Sequence, residues 1–328
     1  MPWFAEAHRL PNDDLLVFDE PSHIYTYTPT GEAVPKSVTG LLKASFDTFD
    51  GLKVVKQNFS KWKRNPSSEY HQICNAHTED EAAGIICEMW KEKGRNAAGA
   101  GTKIHNELEL HLQGELNMDT TPHCCTLVDE WLRNFLPGLD YKPYRCELKT
   151  VWAIDKTPIV CGTVDLLLHS EVTGKYILVD YKTTDHKKKG LLGKQPPAFP
   201  KPALGHFGDF DACDYVKYSA QLLVYEKLLA RGGMIPASNI ADSYLLQVNP
   251  QMQTAHGIQV LRSTPFVDAV DKLLDEEGES VLRRRDGRAE GVEGVEGVEG
   301  VEGVEGVERV ERVERDKGAE RETKKQKL

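Results

Sequence analysis

The spacing of apolar and polar positions changes its period partway along the chain. Between residues 51 and 135 apolar residues recur at three- and four-residue steps, which predicts helices. Residues 51–64 (GLKVVKQNFSKWKR) combine that spacing with a basic face. Residues 79–113 predict one or two helices, with Gly94 and the small residues 96–101 expected to break or bend them. Within 102–113, Ile104, Leu108 and Leu112 fall at four-residue steps and Gly114 supplies a stop. A further helix is expected over 126–135, ending before Pro137. From residue 145 the period drops to two. Strands over 145–154, 159–168 and 175–182, joined by turns at 155–158 and 172–174, predict an antiparallel meander. Residues 185–213, rich in Lys, Gly and Pro, read as a long loop. An amphipathic helix comes next over 215–230, stopped by Arg231-Gly-Gly, then a strand over 243–249 with 257–262 beside it, and a helix over 265–282. Near the start, residues 23–27 alternate as a strand, with a turn at Thr30-Gly31-Glu32. Residues 33–38 form the expected return strand, which Pro35 confines to an edge, and a short helix succeeds it. The predicted class is α/β (α+β), with a central mixed β-sheet flanked by helices.

Composition refines this picture at the C-terminus. From Glu290 the chain repeats Glu-Gly-Val and then Glu-Arg-Val. A three-residue period fits neither helix nor strand, and valine alone is too sparse for a core. Three regions are therefore expected: an N-terminal hairpin and helical region (1–95), a core (96–282) and a low-complexity, disordered tail (283–328). The net charge is -10. The tail from Arg283 holds 12 basic and 13 acidic residues, leaving 29 and 38 in the part before it. An acidic body argues against loose polyanion binding by charge alone, although metal ions or a local basic groove can supply the attraction. Seven cysteines with no CxxC spacing form no framework, so reduced thiols and a soluble, intracellular protein are expected. No apolar run approaches the ~20 residues of a membrane span, and the opening residues have the make-up of neither a signal peptide nor a transit peptide.

The candidate chemistry lies in the meander. In Ile177-Leu-Val-Asp180-Tyr-Lys182-Thr-Thr184, Asp180 and Lys182 are two apart on a strand and so share a face. Asp165, in Gly162-Thr-Val-Asp165, is brought alongside by a short turn. Two converging carboxylates suit a hard divalent cation, Mg²⁺ or Mn²⁺. Lys182 beside it could orient or help deprotonate a water, or stabilise charge developing on a phosphate. These parts match metal-assisted phosphodiester hydrolysis. Alone, Asp-x-Lys occurs by chance in most proteins.

The order of further residues adds to this. Gly101, His105 and Glu109 in a helix, Glu147 in a strand, Gly162–Asp165, Asp180-Tyr-Lys182, and Gln221 with Tyr225 in a later helix succeed one another along residues 101–225. In this the chain resembles the PD-(D/E)XK nuclease superfamily, its RecB-like and lambda-exonuclease-like branch. The resemblance implies a restriction-endonuclease-like core and an Mg²⁺- or Mn²⁺-dependent DNA exonuclease or end-processing enzyme, of a kind serving repair and recombination. It implies Asp165, Asp180 and Lys182 as catalytic residues. It implies His105, Asp165, Asp180 and the Tyr181 carbonyl as metal ligands, and Glu109, Glu147, Gln221 and Tyr225 as supporting groups, with Glu147 either an acid behind the metal ligands or a ligand to a second metal. Thr183, Thr184, Lys187, Lys188 and Lys189, with Lys194, could grip a phosphate backbone, helped by Lys61, Lys63 and Arg64, with Trp62 stacking on a base. Some relatives carry an iron–sulfur cluster on one cysteine before the core and three after it. No cysteine comes after Cys213, so none is expected here. No GxxxxGK[ST] phosphate loop occurs, which predicts a stand-alone nuclease module. Two alternatives remain: a nucleic-acid-binding module without chemistry, and a zinc enzyme on His105, Glu109 and His111.

Overall fold

The structure is a computed structural model. It describes residues 3–20, 22–46, 49–116, 120–135, 140–184, 191–193 and 201–287. Lys187, Lys188, Lys189 and Lys194 of the expected basic loop, and the tail from residue 288, lie outside the described residues. In chain order the elements are α1 (Trp3–Ala7), β1 (Leu16–Asp19), β2 (Ile24–Tyr27), β3 (Glu32–Ala33), α2 (Val38–Lys43), α3 (Gly51–Arg64), α4 (His71–Ala76), α5 (Glu79–Leu112) and α6 (His123–Phe135). They continue with β4 (Tyr141–Ile154), β5 (Thr157–Ser170), β6 (Lys175–Lys182), α7 (Asp214–Arg231), β7 (Ile240–Gln247), β8 (His256–Gln259) and α8 (Thr264–Arg285). The chain divides into two compact units, one of residues 1–47 and 104–291, the other containing residues 48–103.

The first unit is built on a five-stranded mixed sheet in the order β4-β5-β6-β7-β8. β4, β5 and β6 form the antiparallel meander that the two-residue period predicts. β7 returns parallel to β6 after α7, and β8 pairs antiparallel to β7. The strands are almost continuously apolar at Leu166-Leu-Leu168 and Ile177-Leu-Val179 because helices cover both faces. Leu148, Val164, Leu178 and Leu245 pack with Leu222 and Leu223 of α7 and Phe266 and Leu274 of α8. Leu166, Leu168, Ile177, Val179 and Leu246 pack with Ile104 and Leu108 of α5 and Leu127 and Val128 of α6. Each fully buried side chain of this size stabilises the fold by about 1.5–3 kcal/mol. The mixed α/β class expected from the pattern is the one observed.

A small sheet in the order β1-β2-β3 packs Leu16 and Tyr27 on Val151 and Cys161. The expected return strand over 33–38 is reduced to β3, since the chain leaves the sheet before Pro35, which has no N–H for a ladder. Lys36 O instead accepts a hydrogen bond from Cys161 N at 3.1 Å, which ties this segment to β5.

In the second unit, Val55 and Phe59 of α3, Tyr70, Cys74 of α4 and Ala82, Ala83 and Ile86 of α5 form a separate core. α5 opens with a capping box: Thr78 N donates to Glu81 Oε2 at 3.0 Å, and Glu81 N to Thr78 Oγ1 at 3.5 Å. The expected break at 94–101 is absent, and α5 runs unbroken for 34 residues. Each glycine costs about 1 kcal/mol in a helix, but the interspersed alanines are the best helix formers and no proline interrupts the turns. Among the described residues no helix is long and apolar enough to cross a membrane, and the seven cysteines are free thiols.

Candidate metal centre

The site forms where both ladders of β5 are interrupted. The β5–β6 pairing ends at Leu166 opposite Val179. The next backbone donor, Tyr181 N, finds the Asp165 side chain instead, with Oδ2 accepting at 2.7 Å. On the other side of β5, Cys146 pairs with Leu166 and Leu148 with Val164, while Glu147 and Asp165 between them do not pair. Glu147 takes a left-handed backbone conformation there, with φ 47°. A non-glycine residue in that region is strained by about 1–3 kcal/mol, and such strain clusters at functional positions. The kink and the skipped pair aim two carboxylates at one point, and α5 brings His105 to the same point.

His105 Nδ1 lies 3.6 Å from Asp165 Oδ2. One ligand atom each from His105, Glu147 and Asp165 can be chosen so that all lie within 4.8 Å of one another. These three residues could hold a divalent metal ion. The donor set fits one, with two carboxylates and an imidazole, and oxygen predominates as hard cations require. The electrostatics fit as well. Burial, then the nearby Asp165 charge, pushes the Glu147 carboxyl up to about 8. Burial alone would lower His105, but the Asp165 carboxylate, with Asp180 and Glu147 behind it, raises it to about 9. Asp165 stays below its ordinary value, because the His105 charge and hydrogen bond, Lys182 and the Tyr181 N–H outweigh burial. With its pKa raised, His105 offers these carboxylates a positive charge of the kind that a bound cation would otherwise supply.

Asp180 and Lys182 lie beside this group and face α7. Lys182 Nζ is 2.5 Å from Asp180 Oδ2, an oxygen that is buried and has no well-aligned hydrogen-bond donor among the described residues. The ammonium also donates to Gln221 Oε1 at 3.4 Å and sits over the Tyr218 ring, 4.3 Å from its centroid. Gln221 Nε2 donates to Tyr225 Oη at 3.2 Å. Burial raises Asp180 to about 6 despite the opposing lysine charge. Burial works against the Lys182 charge too, but Asp180 and Asp165 prevail and its pKa is raised.

Gly162 is explained by this helix face. A Cβ there would lie 2.5 Å from Tyr225 Cε1 and 3.2 Å from Val38 Cγ2. Gly162→Ala is therefore expected to destabilise the fold by about 1–3 kcal/mol through overpacking. Urea denaturation measures it, and a variant as stable as the parent would remove this account of the glycine.

The other residues singled out in the sequence divide between the centre and its surroundings. Tyr181 packs its ring edge-on to His105 at 5.6 Å. Glu109 accepts from Gln113 Nε2 at 3.0 Å, and its charge contributes to raising Glu147. Thr184 is fixed at the end of β6, its carbonyl accepting from Gln247 Nε2 at 3.1 Å and Asn249 Nδ2 at 3.0 Å. Thr183 is half-buried beside it. His111 Nε2 pairs with Asp129 Oδ2 at 2.9 Å, away from the partners a zinc site with His105 and Glu109 would need. Trp62 is half-buried, with its ring packed against Tyr70 and Trp90. Sequence reasoning missed Tyr218. Its position three residues before Gln221 on an amphipathic helix, and seven before Tyr225, was a usable signal. Glu147 was singled out only by the order of the motifs; that it converges with Asp165 and His105 depends on a backbone conformation that its residue type does not announce.

No family model matches the chain, and no curated protein matches it. Among solved structures, it is similar to a "putative exonuclease" from Eubacterium rectale at 12% identity and TM-score 0.33, covering 73% of this chain and 85% of that one. It is also similar to the protein SSO0001 at 12% identity and TM-score 0.22, covering 56% and 71%. Likenesses this remote carry no argument about activity.

Proposed function

We propose that the chain is a nuclease of the PD-(D/E)XK type, hydrolysing DNA phosphodiester bonds with Mg²⁺ or Mn²⁺, as an exonuclease or end-processing enzyme. The observation that carries the reading is the strained Glu147 backbone beside the unpaired Asp165. It turns two carboxylates onto the point that His105 reaches from α5, next to a buried Asp180–Lys182 pair. His105, Glu147 and Asp165 would hold the metal, and Asp180 and the Tyr181 carbonyl are the further oxygens we assign to it. A metal held there would supply a water of lowered pKa and positive charge against the scissile phosphate.

The chain's own residues do the rest. Asp180, Gln221 and the Tyr218 ring hold Lys182 as a cation in a fixed place. With its pKa raised, Lys182 acts as a donor and positive charge toward the phosphate oxygens rather than as a base. Tyr225 and Gly162 fix the helix face from which Gln221 reaches it.

The test is incubation of the purified chain with end-labelled linear and closed circular DNA in Mg²⁺, Mn²⁺ or EDTA. Metal-dependent cleavage of the linear substrate alone is expected, and the released products give polarity. DNA binding without turnover in either metal would overturn the reading in favour of a binding module on the same fold.

A further inference from the structure

Helix α3 carries a basic face and no carboxylate of its own to balance it. Its sequence places five cations, Lys53, Lys56, Lys61, Lys63 and Arg64, between Asp50 and Glu69, with no acidic residue between those two. At 100° per residue all five fall within an arc of about 160°. The other side is the buried face of Val55 and Phe59 with half-buried Trp62. All five cations are exposed. Lys56 pairs with Asp80 at 2.9 Å. Lys63 sits 5.5 Å from the Phe59 ring centroid and Arg64 Nε donates to Ser60 O, contacts that leave both charges unneutralised.

Helix stability explains only part of this arrangement. Lys61, Lys63 and Arg64 lie in the last turn, where cations complement the helix dipole. Lys53 lies in the first turn, where the dipole disfavours a cation; the one carboxylate there, the N-cap Asp50, accepts from the Lys53 backbone N–H at 3.0 Å. The chain as a whole is strongly acidic, so this absence of carboxylates is local. Lys53 to Arg64 spans about 16 Å of helix at 1.5 Å per residue. That length faces about five phosphates of one DNA strand at 3.4 Å each.

We infer that the exposed face of α3 is a docking surface for a DNA phosphodiester backbone, read through charge and without base recognition. Trp62 lies on the opposite side of the helix from these cations, half-buried against Tyr70 and Trp90, so the contact is made by charge and not by stacking. The choice of DNA as ligand rests on the nuclease reading, but the binding needs no metal and no cleavage.

The test is fluorescence anisotropy of a fluorescein-labelled 30-nucleotide strand, and of its duplex, with the full chain in EDTA over a range of salt. The variant carries Lys53→Ala, Lys61→Ala, Lys63→Ala and Arg64→Ala together, its helicity and melting checked against the parent. The expected result is a dissociation constant raised about tenfold or more, with the log–log salt slope reduced by about 3, since each of the four lost phosphate contacts removes about 0.7–0.9. A charge-matched variant on α8, with Lys272, Arg283, Arg284 and Arg285 each changed to Ala, should keep the parent's slope. Parent-like affinity and slope in the α3 variant would overturn the inference, and cleavage by that same variant would leave the nuclease reading standing. Loss of binding in the α3 variant, with no cleavage by the parent in any metal, would do the reverse. Binding of the parent to phosphatidylserine vesicles but to neither oligonucleotide would overturn the inference in favour of a membrane surface.

Discussion

Asp165→Asn is expected to reduce metal-dependent cleavage at least about a thousandfold while leaving the chain folded. That factor corresponds to about 4 kcal/mol of transition-state stabilisation. Asp165 has two separable tasks. Its Oδ2 accepts the Tyr181 N–H that the broken β5–β6 ladder would otherwise strand, and an Asn oxygen can accept the same bond. Its negative charge holds His105 and, in the proposed site, would share a metal with Glu147, and an amide cannot supply that charge. The substitution thus keeps the shape and removes the electrostatics. Cleavage rates under single-turnover conditions, with melting temperatures alongside, would separate the two. Cleavage within tenfold of the parent would sink the site. Lys182→Ala is a less clean test. It leaves Asp180 buried without its cation, and breaking such a pair costs about 3–5 kcal/mol in stability as well as any chemistry.

The parts of this site that arise from local periodicity were legible in the sequence. Alternation puts Asp180 and Lys182 on one face of β6, and a four-residue step puts Gln221 and Tyr225 on one face of α7; both pairs meet in the structure through the Lys182–Gln221 and Gln221–Tyr225 contacts. The meander was legible because each strand is bounded by a turn signal and carries a full apolar run. Features that depend on distant contacts were not. Gly162 and Tyr225 belong to separate motifs in the chain, and only packing shows that one has no Cβ because the other's ring occupies the space. Nothing in the residue type of Glu147 announces a left-handed backbone, since such positions usually fall to glycine or asparagine. The small N-terminal sheet escaped partly because β1 holds four residues and β3 two, too few to establish a period. The run of small residues in α5 misled in the other direction: glycine lowers helix propensity without forbidding helix.

Metal affinity should climb steeply with pH, because the residues that would bind the ion hold protons without it. His105, raised to about 9, is an imidazolium at pH 7, and Glu147, raised to about 8, is largely a neutral acid. Both must deprotonate to act as ligands, so binding releases up to two protons near neutrality, and each contributes about tenfold in affinity per pH unit. Mn²⁺ affinity is therefore expected to rise about a thousandfold or more between pH 6 and 8 and to level off above about 9. The sign for the metal-free chain is the opposite. Both folded-state pKa values lie above the unfolded ones, so the folded state binds the extra protons. Stability is then lost as pH rises, from about 4.5 to 8 for Glu147 and from about 6.5 to 9 for His105. Added Mn²⁺ should offset that loss most at the alkaline end, where no proton competes with it. Calorimetric titration in buffers of different ionisation enthalpy counts the released protons, and denaturation with and without Mn²⁺ across the same range tracks stability. An affinity that is flat from pH 6 to 8 with no proton release would mean that His105 and Glu147 are not ligands. In Glu147→Gln the pH slope should fall by about one proton while His105 still titrates, which separates the contribution of the strained strand position from that of the helix.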